Sequence, residues 1–571
     1  MSMVADPRNF VILSCPAQVV TGGGYLVSDR KYCSTTITTS ARFYACYDQH
    51  IWHDIYINKP LNDGVMRVDG NSGRSKNIIL SFISPQFLHA KWCYIATYTP
   101  GRENKKDGDV SLTQIPNIEC PTTSNKYVEI AAIETLRVAF GIHGTDFFDQ
   151  AQQRVGRGRF LPVISIILLG DNDFYRQPKG KAHLPRFNPL DITIDKAQMN
   201  GLGSSEAMVI TICAAILYRL APGLTVNMPA GRMPMSMRQL IHNLAQHVHC
   251  TIEGKIDTGV KISASSWGTQ VYRRLSEKCL EASFKPAVAK VISQPEPLST
   301  CKIRIHSNHD QSSNPQGSLQ ALLGHVHHDG DYWHDEDEAP RVKPVPVPPM
   351  TTMLFASIED PDRVPVLAQK VIDFRKSNPT KDYKGSLLKM SKQTLERTNI
   401  TSRPISDSDT VQELFENLGA TMKEIRTIQR KMTEMTGMPI EPPVQTELLD
   451  ASEKLPGVIG AGIPGVGGHD AIHVLVFSPQ EKVNDQIYKL WGKWTKSTIR
   501  PLSEVGRWDG VEATPTASLI VQSMSDVKVI QKIVQGQCRM STRAAISFKS
   551  PTSSASSASP AARTTTRRRN R

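Results

Sequence analysis

Gly201-Leu202-Gly203-Ser204-Ser205, followed closely by Ala207-Met208-Val209-Ile210-Thr211-Ile212-Cys213-Ala214-Ala215-Ile216-Leu217, is the stretch from which the rest of the sequence is read. Two glycines let the backbone turn tightly and come close to a ligand, and two serines add hydroxyls. The apolar run behind them reads as a buried helix. A loop of this kind at a helix start turns backbone amides toward an anion, and a phosphate suits it. A plain Gly-Ser turn before a helix fits the same five residues, so the surrounding sequence has to decide.

Working outward, Phe10-Val11-Ile12-Leu13 reads as a strand. After it, Ser14 to Val27 carries turn residues, the triple glycine Gly22-Gly23-Gly24 and a second apolar run, which reads as strands joined where backbones approach closely. Ser34 to Thr39 adds β-branched, strand-like residues. Tyr127 to Phe140 has helical spacing, and Val163 to Leu169 reads as a buried strand ending at Gly170-Asp171-Asn172-Asp173. Residues 236–250 predict a helix that leads to Gly254-Lys255-Ile256-Asp257-Thr258-Gly259. Strands and helices are mixed rather than segregated, so the expected class is α/β (α+β), and no internal repeat is visible.

Composition sets the bounds. A chain of 571 residues with 39% hydrophobic and 21% charged residues has room for two or more soluble domains. Its ten cysteines include no C-x-x-C pair, which argues against a zinc ribbon or a disulfide framework and for a reducing, cytoplasmic setting. No apolar run reaches the roughly 18 to 20 residues of a spanning helix. Asp6 and Arg8 precede only a short apolar stretch, unlike a secretory signal, so no membrane association is expected. The net charge of +13 is unevenly placed: ten Lys and Arg and no acid follow Asp526, which leaves +3 for the rest. That basic Ser/Ala/Thr/Arg-rich end reads as a solvated tail, and a nucleic-acid partner is not expected.

Five stretches, in order, resemble the phosphomevalonate kinases of the GHMP small-molecule kinase superfamily, in particular the fungal type. They are Ser14 to Val27, similar to the opening S-x-P-G-K-x-x-x-x-G-G-Y-L-V; Gly170-Asp171-Asn172-Asp173-Phe174-Tyr175; Gly201 to Ser205; Ile241-His242-Asn243-Leu244-Ala245-Gln246 with Gly254-Lys255-Ile256; and Glu441-Pro442-Pro443-Val444-Gln445-Thr446 with Ile463-Pro464-Gly465-Val466-Gly467-Gly468-His469-Asp470-Ala471. The resemblance implies a two-domain GHMP kinase fold with a cleft between an N-terminal and a C-terminal α/β domain. The expected divisions are residues 1–300, a His/Asp- and Pro-rich insertion or linker at 301–350, residues 351–511, and the tail at 512–571. It implies ATP and Mg²⁺ as cofactors and 5-phosphomevalonate as the small-molecule substrate. Gly201, Gly203, Ser204 and Ser205 would hold the ATP phosphates, with Ser205 near Mg²⁺, and Gly465, Gly467 and Gly468 would close the substrate side of the cleft.

The same resemblance exposes departures. The family's opening lysine falls on Gln18 and its preceding glycine on Ala17; a neutral amide hydrogen-bonds but does not neutralise charge. Where the family continues to Gly-x-Asp, this chain has Gly259-Val260-Lys261, which reverses the charge at an expected catalytic position, with Asp257 four residues earlier. Met199 replaces a lysine before the loop, and the family's Gly-Ser-x-Thr turn falls on Pro361-Asp362-Arg363-Val364, beside Glu359 and Asp360. Two readings follow: a working kinase in which Lys261 or Lys255 supplies the charge missing at Gln18, or a homologue that binds ligands but transfers phosphoryl groups poorly. His325, His327, His328 and His334 have the side chains of metal ligands, but they precede the proline-rich 342–350 and read as part of an exposed insertion. His242 and His249 read as packing residues.

Overall fold

The computed structural model describes residues 10–25, 27–30, 32–48, 76–100, 108–114, 124–143, 163–177, 184–220, 233, 235–274, 342–344, 351–359, 367–377, 411–465, 471–477, 482–502, 506–507, 520–522 and 530. The first half builds β1 (Phe10–Gly22), β2 (Cys33–Asp48), β3 (Lys76–Ile83), β4 (Lys91–Pro100), β5 (Gly108–Gln114), α1 (Lys126–His143), β6 (Val163–Gly170), α2 (Ser204–Leu220), α3 (Met235–Glu253), α4 (Val260–Trp267) and β7 (Gln270–Arg273). The second half adds β8 (Val342–Pro344), β9 (Thr351–Glu359), α5 (Leu367–Ser377), α6 (Val411–Thr436), α7 (Pro443–Glu453), β10 (Val458–Gly462), β11 (Ala471–Phe477), α8 (Lys482–Gly492), β12 (Thr498–Pro501), β13 (Gly506–Arg507) and β14 (Ile520–Gln522). The class is mixed α/β, as the sequence predicts.

Most of the first half's strands enter one sheet in the order β14-β1-β2-β6-β3-β4-β5, with β7 and β8 continuing from β2. Its pairings are antiparallel except β3 with β6, which is the parallel pair expected where a helix crosses between strands. Against this sheet lies α2, buried continuously from Glu206 to Leu217. A helix apolar on all sides belongs in a core, and its neighbours are α1, α3 and α4. The expected turn inside Ser14 to Val27 lies after Gly22, where Val27 donates its N–H to the Gly23 carbonyl, and not at Ser14 to Pro16: β1 runs on through Pro16, and its pairing with β2 shifts between Pro16 and Gln18. A bulge is one of the few places a strand accepts proline, and this one turns the following residues toward α2.

A second sheet has the order β10-β11-β9-β12, with β13 also on β9. Strand periodicity explains how the two halves join. Leu354, Ala356 and Ile358 of β9 face a core shared with α7 and α8, through Leu448, Ile487 and Trp491. The alternate residues Met353 and Phe355, with Leu475 of β11, enter the core of the first sheet. Tyr25 and Tyr32, between β1 and β2, pack on Ile428 and Met432 of α6, so apolar contact is continuous from one half to the other. The sequence from 512 onward also contributes to the first sheet, since Ile520 pairs with Ser14 and Gln522 with Ile12. Among the described residues no helix is long and apolar enough to cross a membrane.

Candidate functional site

The five-residue glycine stretch is held on three sides. Asn200 donates its backbone N–H to the Phe174 carbonyl and its side-chain amide to the Asp173 carbonyl, at 3.1 and 2.9 Å, so the Gly170 to Tyr175 turn supports the entry. The Gln18 N–H donates to the Leu202 carbonyl at 3.2 Å, which fastens the middle to the bulge of β1. The exit is α2 itself, whose Ala207 N–H bonds to the Gly203 carbonyl; the N–H groups of Ser204, Ser205 and Glu206 therefore precede the first intrahelical bond.

Gly201 and Gly203 both have left-handed backbones, with φ of 75° and 76°. Their surroundings differ. A Cβ on Gly201 would meet open space, whereas one on Gly203 would collide with the side chain of Gln18, coming within 2.7 Å of its Cδ. Gln18 is fully buried under this glycine, and neither its Oε1 nor its Nε2 has a hydrogen-bond partner among the described residues. An unpartnered buried amide costs about 1–3 kcal/mol, so its position against a ligand-type loop is a feature to be explained rather than ordinary packing.

On the other flank of the loop a charged corner forms between α2, α3 and α4. Glu206, in the first turn of α2, is buried; one of its oxygens accepts from the Ser205 hydroxyl at 2.9 Å and the other faces the Lys261 ammonium at 3.5 Å. His249 Nε2 lies 4.0 Å from Glu206, and His249 Nδ1 lies 3.6 Å from Asp257. Burial would raise the Glu206 carboxyl, but Lys261, then His249, its own backbone N–H and Ser205 bring it down to about 2. Glu206, and more weakly Asp257, hold the Lys261 ammonium above its ordinary value against the opposing effect of burial. Lys261 is therefore a fixed cation at neutral pH.

Asp257 and Lys261 thus share one corner, although four residues separate them. The cause is local: Gly254, at φ 66°, ends α3, Lys255 donates back to the Cys250 carbonyl, and the chain folds over the last turn of α3. Lys255 is exposed and has no place in the corner. Ser204 donates to the Met199 sulfur at 3.4 Å, and Met199 is itself exposed.

From the second half, Gly465, also left-handed at φ 72°, donates its N–H to the Val20 carbonyl of β1 at 2.6 Å, which brings it to the same strand as Gln18. Gly467 and Gly468 lie outside the described residues, as do Pro361 to Val364 and the histidines at 325–334. Glu441 sits deep between α6 and α7, where it accepts from Arg426 at 2.8 Å and Arg430 at 3.1 Å. His242 is buried, with Nδ1 2.9 Å from the Asn243 amide oxygen.

Sequence reasoning missed Glu206 and the part played by His249. Glu206 is the one charged residue between the loop and an otherwise apolar run, and that break in the pattern was the available sign. Among the described residues no group of three His, Cys, Asp or Glu side chains is arranged to hold a metal ion. Mg²⁺ in phosphoryl-transfer sites is bound largely by substrate phosphates and needs only one or two protein oxygens. The Ser205 hydroxyl could be one of them.

No protein-family profile matches the chain. In sequence it is 27% identical over 496 residues to the phosphomevalonate kinase erg8 of Aspergillus fumigatus, covering 83% of this chain and 88% of that one. It is 26% identical over 521 residues to the peroxisomal phosphomevalonate kinase of Arabidopsis thaliana, covering 86% and 94%. It is also 26% identical over 509 residues to the phosphomevalonate kinase ERG8 of Gibberella zeae, covering 88% and 96%.

Proposed function

We infer that this chain, which belongs with the phosphomevalonate kinases it matches along more than four fifths of its length, transfers the γ-phosphoryl group of ATP to the phosphate of 5-phosphomevalonate. The bond between the γ-phosphorus and its bridging oxygen breaks, an acceptor phosphate oxygen takes the phosphorus, and ADP leaves with 5-diphosphomevalonate as product. The reaction belongs to the mevalonate route to isoprenoid and sterol precursors.

The observation that carries this reading is the loop from Gly201 to Ser205. Two left-handed glycines and the amides of Ser204 and Ser205, which precede the first intrahelical bond of α2, fit a polyphosphate, and catalysis of this transfer is mostly placement and charge neutralisation. Ser204 and Ser205 would contribute hydroxyls, Ser205 toward Mg²⁺. Gly465, with Gly467 and Gly468, would cover the acceptor from the second half. Mg²⁺ would neutralise charge on the transferring group.

The loss of the family carboxylate at Lys261 weighs little for this acceptor. A hydroxyl acceptor must shed a proton, but a phosphate monoester has its second pKa near 6 and arrives largely ionised. No base is required of the protein. The second reading, a homologue that binds but transfers poorly, rests on Gln18, which is neutral and sealed beneath Gly203. The compartment proposed is the cytoplasm.

Purified protein incubated with ATP, Mg²⁺ and 5-phosphomevalonate, with ADP followed by a coupled assay, tests the reading. ADP release that depends on the acceptor supports it. Release at the acceptor-free rate, in protein that still binds ATP, leaves the second reading.

A further inference from the structure

We propose that Lys261 is the contact that selects a phosphorylated acceptor over its unphosphorylated alcohol, and that Glu206 is the buried residue that positions it. The proposal rests on the kinase reading above and adds to it a specificity residue.

Exposure separates the two side chains. Glu206 is buried, while the Lys261 side chain is 38% exposed, so the carboxylate is spent inside the fold and the ammonium keeps a face to solvent beside the loop. An ammonium has three donors, and the contact with Glu206 uses one direction. Lys261 stands in the first turn of α4, two residues after Gly259, whose φ of 76° ends the preceding connection. A cation in a first turn opposes the helix dipole, costing about 0.3–1 kcal/mol, so local helix stability does not explain it. Its gain lies in the pair with Glu206 across the corner and not in α4 itself. Glu206 is fixed by Ser205 from its own helix, and α4 is braced by the Ser265 hydroxyl on the Pro16 carbonyl at 3.0 Å, so the ammonium is held at a set distance from the loop.

Chemistry decides what such a cation selects. A permanently protonated lysine cannot take a proton from an alcohol, and it does not stabilise one that stays neutral. It does attract an acceptor carrying one to two negative charges. Of the neighbouring groups, Asp257 lies 3.6 Å from His249 Nδ1 and acts on the ammonium more weakly than Glu206, and His249 Nε2 faces Glu206. Gln18, at the position of the family's lysine, is buried and contributes no charge.

The test uses the full chain and calorimetry with two probes, 5-phosphomevalonate and mevalonate, on the unaltered protein and on Lys261→Gln, Lys261→Arg and Glu206→Gln, with ATP binding and melting temperature measured alongside. The unaltered protein is expected to bind 5-phosphomevalonate at least tenfold more tightly than mevalonate. Lys261→Gln should lose tenfold or more on 5-phosphomevalonate, change mevalonate by less than twofold and leave ATP binding within twofold. Lys261→Arg should recover most of the loss. Glu206→Gln should raise KM for 5-phosphomevalonate by about three- to tenfold with kcat changed by less than twofold, a split that general loss of structure would not give. Equal binding of 5-phosphomevalonate by the unaltered and Lys261→Gln proteins, with turnover intact, would overturn the proposal alone. Failure of the unaltered protein to bind 5-phosphomevalonate at all would remove the kinase reading and the proposal together.

Discussion

Arg426 and Lys261 are both cations set among carboxylates, and they are built to opposite specifications. The Arg426 side chain is 2% exposed and reaches Glu441 at 2.8 Å, Asp450 at 2.7 Å and Glu453 at 3.0 Å. Donors on its Nε, Nη1 and Nη2 fasten α6 to α7 and to Glu441 between them, and Arg430 adds a second cation to Glu441. Lys261 has one close acid, keeps an open face and stands beside the start of α2. A saturated cation holds helices together, whereas one that keeps an exposed face has capacity left for a ligand.

The largest effect expected from this contrast is on stability at the saturated node. Arg426→Met leaves Glu441 buried without its main partner, and breaking such a pair costs about 3–5 kcal/mol. Chemical denaturation of the variant should show that loss, and a loss under about 1 kcal/mol would put the node on a par with a surface ion pair.

The two glycines of the loop give the next. Gly203→Ala combines a left-handed backbone, worth about 1–2 kcal/mol, with an overpacking term against Gln18 of about 1–3 kcal/mol. Gly201→Ala carries only the first. Denaturation midpoints and ATP binding should both separate the pair, with Gly203→Ala the worse; equal effects would mean that the Gln18 contact does not shape the loop.

Acidification should then separate the halves of the molecule. His473 of β11 is pushed down to about 4 by burial and by Arg426, so the unfolded chain takes up its proton first and the second half loses stability as pH falls from 6.5 toward 4. Glu206, held at about 2, contributes stability that is complete above 4.5 and is lost as pH falls from 4.5 toward 2. Each contributes at most about 3 kcal/mol. Hydrogen exchange corrected for intrinsic rates should show β11 and α8 losing protection before α2 and α4; loss in a single window would contradict two separate sources. The smallest effect is that of Lys261→Gln on stability, about 1–2 kcal/mol, because Glu206 retains Ser205 and His249. A drop as large as that of Arg426→Met would make Lys261 another structural cation.

Much of this was legible in the sequence because it is written locally. The uniformly apolar residues after Ser205 specify a buried helix whatever surrounds them, and Val163 to Leu169 specify a core strand. β1 was misread at Ser14 to Pro16, because turn residues and proline also mark bulges, and only the partner strand shows which applies. Gln18 was visible as a lost charge, but its burial under Gly203 depends on that bulge. The meeting of Asp257 with His249 depends on how tightly α3 ends, and the pairing of Ile520 to Gln522 with β1 joins the two ends of the chain. No periodicity reports contacts of that range.

The measurement that bears most directly on function is phosphorus NMR of the unaltered protein mixed with ATP, Mg²⁺ and 5-phosphomevalonate. The expected spectrum shows ATP and the phosphate monoester declining together while ADP and a diphosphate ester grow in equal amounts, more slowly for Lys261→Gln at low acceptor concentration. Unchanged ATP, or ATP lost to ADP and inorganic phosphate with no diphosphate ester formed, would contradict phosphoryl transfer to 5-phosphomevalonate.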